Sequence, residues 1–427
     1  LSAHVCNAPI ARRDPGVDPY AWLQERDTDA VLDYLKAENS YQDAQLADQA
    51  ELRETLFQEI KGRILETDLS LPSQWGPYLY YTRTTAGDEY PRHYRCPRPV
   101  DDSLTVDESR EQLLLDPNVL AGGGFFSLGA FSISPDHQRL AYSLDTTGDE
   151  IYTLFVKELA NDKVSELSFE DCDGSMTWAN DSLTLFFGEL DDTHRPYKLW
   201  RYRLDGTAAE EVFHEPDGRF FLHCYRSSSE KQLILSLGSK TTSEVWVLAA
   251  TQPDQPFTCL APRVEDHEYD VDHGLLDGQW SWLIRSNRDG INFALYQAAD
   301  TGLAPTEADW QNLIPHSDTV MIDGLSLNAS AMTLSLREGG LPIIEVHPQG
   351  LPAYRVQLPD AAYSLHVQNS LEFVSPRIRL RYEALNRPAQ IRQLDLASGE
   401  QVVLKQTPVL GPFDADDYGS QRLWATA

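Results

Sequence analysis

Apolar residues recur mostly at three- and four-residue intervals from residue 20 to about residue 66, and from about residue 75 they alternate with polar ones. The first pattern predicts helices between residue 20 and about residue 66. Asp27 and Thr28 offer N-cap oxygens ahead of Val31, Leu32 and Leu35, and a second run carries Leu46, Leu52, Leu56, Ile60 and Ile64. Gly62 is expected to bend or weaken the last turn. The second pattern, rich in aromatic and β-branched residues, predicts short strands joined by frequent turns.

The strand region repeats a plan. FSISPDHQRLAYSLD, turning at Pro135-Asp136, precedes IYTLFVKEL; MTWANDSLTLFFGEL, turning at Asn180-Asp181, precedes PYKLWRYRLDG. HCYRSSSEKQLILSLGS and TSEVWVLAA follow the same order, and so do three later stretches. Units begin near residues 77, 131, 177, 223, 271, 323 and 366, a spacing in the range of propeller repeats. With about four strands in each unit, the expectation is a mainly β chain: a seven-bladed β-propeller preceded by an N-terminal helical segment. Trp178, Trp200, Trp246, Trp280 and Trp282 are expected mostly to pack between blades.

Composition narrows the partners. The formal charge of −31 repels phosphate backbones and anionic lipid, so neither nucleic acid nor membrane is an expected partner. There is no apolar run of membrane-spanning length, and LSAHVCNAPIARRDPG lacks the apolar stretch of a signal peptide. Cys6, Cys96, Cys172, Cys224 and Cys259 are odd in number, widely spaced and without a C-x-x-C pair, which fits a reducing cytoplasm better than a disulfide framework or a zinc site. No cofactor or metal is implied.

A G-x-S-x-G elbow is absent: Ser127 has Gly129 but Phe125, and Ser326 has Gly324 but Asn328. LGSKTTS lacks the earlier glycine and the Gly-Lys pair of a phosphate loop, so Gly238–Thr242 is expected to be a hairpin turn, and Gly122–Gly124 a flexible loop. In HEYDVDH, strand geometry puts Glu268, Asp270 and Asp272 on one face and His267 and His273 on opposite faces, which disfavours a shared metal and favours a structural role.

DPYAWLQERDTDAVLDYLKAENSY, through Asp18, Tyr20, Trp22, Leu23, Glu38, Asn39 and Tyr41, resembles the opening of the prolyl oligopeptidase family of serine peptidases. TWANDS at 177–182, TTSEVWVL at 241–248, DHEYDVDH at 266–273, SNRDGINFALY at 286–296 and VLKQTPVLGPFDADDYGSQRLW at 403–424 resemble its oligopeptidase B branch. The resemblance implies a helical segment over 1–70, a propeller over 71–415, and over 416–427 the start of a strand leading into an α/β-hydrolase domain that this chain does not carry. It implies a serine enzyme cleaving short peptides after Arg or Lys, with its triad beyond Ala427, so that no catalytic residue is expected here. It further implies that the N-terminal helices pack on the hydrolase domain, and that Glu150 faces the interdomain cleft as a gating residue. The alternatives are a non-enzymatic propeller that binds a partner protein, for which the Gly-His and Trp-Asp marks are missing, and a propeller enzyme with its site in the central channel.

Overall fold

The computed structural model describes residues 18–426 apart from 207 and 369, so Cys6 and the leader stretch lie outside the described residues. The chain divides after Leu65 into two units. In the first, a 3₁₀ turn at Ala21–Gln24 precedes helix α1 (Asp29–Gln45), and a 3₁₀ turn at Ala47–Gln49 precedes helix α2 (Ala50–Lys61). Thr28 occupies the N-cap of α1 in extended conformation, but its hydroxyl donates back to the Glu25 carbonyl at 2.9 Å instead of accepting from the helix. Leu46, expected inside the second helical run, is the C-cap of α1, and Gly62 is the C-cap of α2. Trp22 packs edge-on against Tyr34 at 5.3 Å. Leu32, Leu35, Leu52, Leu56, Phe57 and Ile60 are exposed.

The second unit is a β-propeller, built from antiparallel meanders. Six sheets are present among the described residues: one of five strands, one of eight and four of four. Their registers are regular, as in Phe221–Arg226 against Gln232–Gly238 and the latter against Ser243–Ala249. The second strand of a meander is buried on both faces because neighbouring sheets cover it from either side; Leu233, Ile234, Leu235 and Leu237 are all fully buried. Outer strands such as Glu210–His214 keep exposed positions. The core therefore lies between sheets: Ile234, Val245, Tyr269, Trp282, Ile284 and Tyr296 form one apolar cluster from two of them. Trp178 and Trp282 are fully buried as expected, whereas Trp280 is only half-buried, lying parallel to His273 with the Lys231 ammonium 3.4 Å over its ring.

The division falls five residues before the expected boundary at 70, since Asp68 and Leu69 already pair with Thr84 and Arg83 of the first sheet. At the other end residues 418–426 form no strand, because no neighbouring strand offers them a ladder. The seam between the first and last sheets carries no backbone ladder among the described residues. Side chains join it: Glu372 accepts from the Gly76 amide at 3.0 Å and pairs with Arg98 at 2.6 Å, Arg379 donates to Ser73 Oγ at 3.2 Å, and Lys405 pairs with Asp68 at 2.6 Å.

Candidate functional site

Antiparallel meanders arranged in a ring have two distinct faces. Loops between second and third strands lie on one face with the crossovers from sheet to sheet, while first-to-second and third-to-fourth loops lie on the other. The propeller unit begins at the crossover face, where Asp68 pairs beside Thr84 at the end of a second strand, and its last strand, Gln401–Gln406, ends there. The Lys405–Asp68 pair holds entry and exit together. The outgoing segment then crosses this face: Asn386 donates to the Tyr418 carbonyl at 3.0 Å, and Arg422 donates to the Gly339 carbonyl.

The crossover face carries exposed apolar residues at loops and strand ends from most of the ring: Phe125, Ile151, Phe221, Val264, Ile291 and Leu385. Ile291 is 83% and Leu385 93% exposed, values that a side chain shielded by its own fold would not have. On the other face Val100, Leu303 and Leu351 are exposed on third-to-fourth-strand loops, and Leu371 and Val374 on the first-to-second-strand loop of the last sheet.

Glu150 lies on the crossover face, in the bend between Arg139–Asp145 and Tyr152–Glu158. It is exposed and has φ of 60°, a left-handed conformation that costs a side-chain-bearing residue energy. Asp145 compensates, its carboxylate accepting from the amides of Thr147, Gly148 and Glu150 at 2.8, 2.9 and 3.0 Å. These amides hold the Asp145 carboxyl below the usual range in spite of its burial. The bend is thus rigid and presents the Glu150 carboxylate outward.

At the centre of the ring, first strands face one another. Burial pushes the Asp270 and Asp272 carboxyls up, Asp272 to about 6, although Asp270 pairs with Arg285 at 2.6 Å and Asp272 accepts from the Ser228 and His273 amides at 2.8 Å. Burial likewise raises the Tyr225 phenol, with the two carboxylates adding to it. Tyr269, Val271 and His273 are buried and alternate with the less buried Asp270 and Asp272, so His273 turns away from the two acids. His267 lies before that strand and is buried as well, against Ser286 Oγ at 2.8 Å; six residues apart, the two histidines share the strand parity opposite the acids, which corrects the expectation that they fall on opposite faces. Burial lowers both imidazoles. No group of three or more possible metal ligands occurs among the described residues.

One constellation escaped the sequence reading. Ser229 Oγ lies 2.6 Å from His273 Nδ1, and His273 Nε2 lies 3.1 Å from Asp300. The chemistry of a serine nucleophile needs an open side for substrate, and here there is none: Ser229 Oγ also meets Ser227 Oγ at 3.0 Å, and the Ser229 amide donates to the His273 carbonyl at 3.0 Å. His273 is completely buried. The chain of bonds is a strut between two sheets. No spacing in the sequence announces it, because residues 229, 273 and 300 come from three separate turns and strands.

The antiparallel meanders define a β-propeller, and residues 9–407 match the family described as prolyl oligopeptidase, N-terminal beta-propeller domain. The chain belongs to that family. It is 32% identical over 99% of its length to dipeptidyl aminopeptidase BI of Pseudoxanthomonas mexicana and 28% identical over 98% to protease 2 of Moraxella lacunata, spanning 59% and 61% of those proteins. Oligopeptidase B from Leishmania major superposes with a TM-score of 0.87 at 26% identity, over 96% of this chain and 58% of that one. Oligopeptidase B from Trypanosoma brucei, with covalently bound antipain in a closed form, gives 0.84 at 27%, over 97% and 59%. The described residues contain no helix long and apolar enough to cross a membrane.

Proposed function

We propose that this chain is the non-catalytic gate and scaffold of a serine oligopeptidase that cleaves short peptides after Arg or Lys, with the chemistry on an α/β-hydrolase domain seated on the crossover face. The observation that carries this reading is the coincidence on one face of the chain's entry, its exit and a set of exposed apolar loop tips. Apolar residues at that exposure are stabilised by a partner surface. The exposed stripe of α1 and α2 is assigned to the same hydrolase domain. We count the eight-stranded sheet as two blades joined through the single Cys172–Glu189 bridge, which makes seven. A propeller lid admits substrates by size and excludes water when the domains close. A cytoplasmic location suits the unbridged thiols of Cys96, Cys224 and Cys259.

Glu150 is assigned to a basic group of the hydrolase domain across the cleft, because its bend projects a carboxylate outward from the crossover face. A pair of this kind makes domain opening depend on ionic strength.

The test compares this chain with the same chain extended through its native downstream sequence, using an amino-blocked fluorogenic arginyl peptide. Cleavage by the extended form alone supports the reading. Cleavage by the short form, surviving repurification and blocked by a serine-reactive probe, overturns it. A free-amine dipeptide substrate run alongside separates endopeptidase action from the dipeptide release that one relative's name denotes. In the extended enzyme, Glu150→Gln is expected to change the salt dependence of activity; an unchanged salt profile removes Glu150 from the gate.

A further inference from the structure

On the face opposite the crossovers, the central channel widens into a cavity of about 390 Å³. Arg226 and Asn328 both line it, each at the end of a first strand, from different sheets. The Arg226 guanidinium is fixed by neutral acceptors: Asn180 Oδ1 at 2.7 Å, the Glu230 carbonyl at 3.3 Å and the Trp178 carbonyl at 3.4 Å. The Glu230 carboxylate is 3.8 Å away and 42% exposed, so it compensates the buried charge only in part. Burial accordingly lowers the Arg226 pKa, a sign that its cation lacks a full counter-charge. The other carboxylate lining the cavity, Glu372, is taken by Arg98 at 2.6 Å.

Asn328 is a second and independent pointer. It is only 6% exposed, and its Oδ1 accepts from the amides of Ser330 and Ala331, each at 2.8 Å. Two N–H donors on one oxygen settle which end of the amide is which, so the other end is NH₂. That NH₂ donates to no described group and is not among the buried unmatched atoms, so it stays open to the cavity. The cavity therefore presents a held guanidinium and an open amide donor between aromatic walls, Trp178, Phe131 and Phe373.

We propose that this cavity binds the carboxylate of a peptide, with Arg226 and the Asn328 amide as donors and the aromatic walls around the adjoining side chain. A planar, singly charged group with two acceptor oxygens matches one guanidinium and one amide. A dianionic phosphate would crowd Glu230. The site lies on the propeller alone, away from the crossover face, so it stands or falls separately from the docking of a hydrolase domain.

The test is calorimetric, on the 427-residue chain. Three probes are titrated: acetyl-Gly-Gly-Phe as free acid, the same peptide as C-terminal amide, and acetyl-Glu-Gly-Phe amide. The free acid is expected to bind roughly ten-fold or more tightly than the plain amide, the scale of one charged hydrogen bond. Binding of the third probe at the level of the free acid assigns the site to carboxylates in general; binding at the level of the plain amide assigns it to the peptide C-terminus. Asn328→Asp keeps the oxygen that accepts from Ser330 and Ala331 but turns the donor into an acceptor, and is expected to abolish the preference for acid over amide. Glu230→Gln removes a competing charge from a half-exposed position, and is expected to tighten the free acid several-fold without changing the amide, on the same scale of charged hydrogen bonding. Equal binding of acid and amide, absence of binding by any probe, or a free-acid affinity unmoved by both variants overturns the proposal.

Discussion

Glu372→Ala tests whether the propeller is weakest at its seam. Glu372 reaches from the last sheet to the first, accepting from the Gly76 amide at 3.0 Å and from Arg98 at 2.6 Å. No backbone ladder joins one sheet to the next among the described residues, but at every other junction the chain itself crosses from sheet to sheet, whereas the seam has only side chains. Hydrogen bonds to a charged group contribute about 1.5–3 kcal/mol each. Arg98 keeps a second carboxylate, Asp102, at 2.6 Å, and both members of the Arg98–Glu372 pair retain some water contact. The lower end of the range therefore applies, and the variant is expected to lose about 2 kcal/mol of global stability. The sharper expectation is local. Hydrogen exchange followed by mass spectrometry should accelerate most in Tyr78–Thr84 and Arg377–Ala384, the strands flanking the seam. Glu244→Ala is the control, because it breaks the Arg263 pair at 2.9 Å away from the seam. It should destabilise by a similar amount without selective exchange in those two strands. If Glu372→Ala raises exchange evenly around the ring, or not at all, the seam is not a separate weak point and the reasoning fails.

Two further variants address the buried polar groups. Asp272 titrates at about 6 in the fold against an ordinary 3.8, so the folded state holds the extra proton and its stabilising effect is full below pH 3.8 and lost as pH rises through 6. Asp272→Asn keeps an oxygen for the two amides, and its stability advantage over the wild type should grow by at most roughly 3 kcal/mol from pH 4 to pH 7; a constant difference in denaturation midpoints would contradict the assigned shift. Ser229→Ala removes one end of the strut to His273 and is expected to cost about 1–2 kcal/mol in chemical denaturation, leaving labelling by a serine-reactive fluorophosphonate unchanged. Labelling of the wild-type chain at Ser229 would instead make that constellation reactive.

Much of this architecture is legible one residue at a time. Helix and strand regions differ in apolar period, and the units read near 77, 131, 177, 223, 271, 323 and 366 lie close to strands that begin at Ser73, Ser127, Thr177, Phe221, Tyr269, Val320 and Tyr363. Short-range turn chemistry and alternation suffice for that, since both act over a few residues. The character of HEYDVDH as structural was legible too, but its partners were not: Asp272 answers Ser228, and His273 answers Ser229 and Asp300, across sheets.

Local pattern by itself determined the helical leader, the meander plan and the pairing of each strand with its sequence neighbour, because those contacts close over short loops. Tertiary structure alone decided what a ring brings together. The seam joins Glu372 to Arg98 and Gly76 across 274 and 296 residues, and the Lys405–Asp68 clasp spans 337. The cavity brings together Arg226 and Asn328 from different sheets, and the Asn328 amide is oriented by how Ser330 and Ala331 turn. No periodicity carries such information: each of these contacts depends on the angle between successive sheets, summed around the ring, and that angle is set by the packing of side chains in the spaces between them.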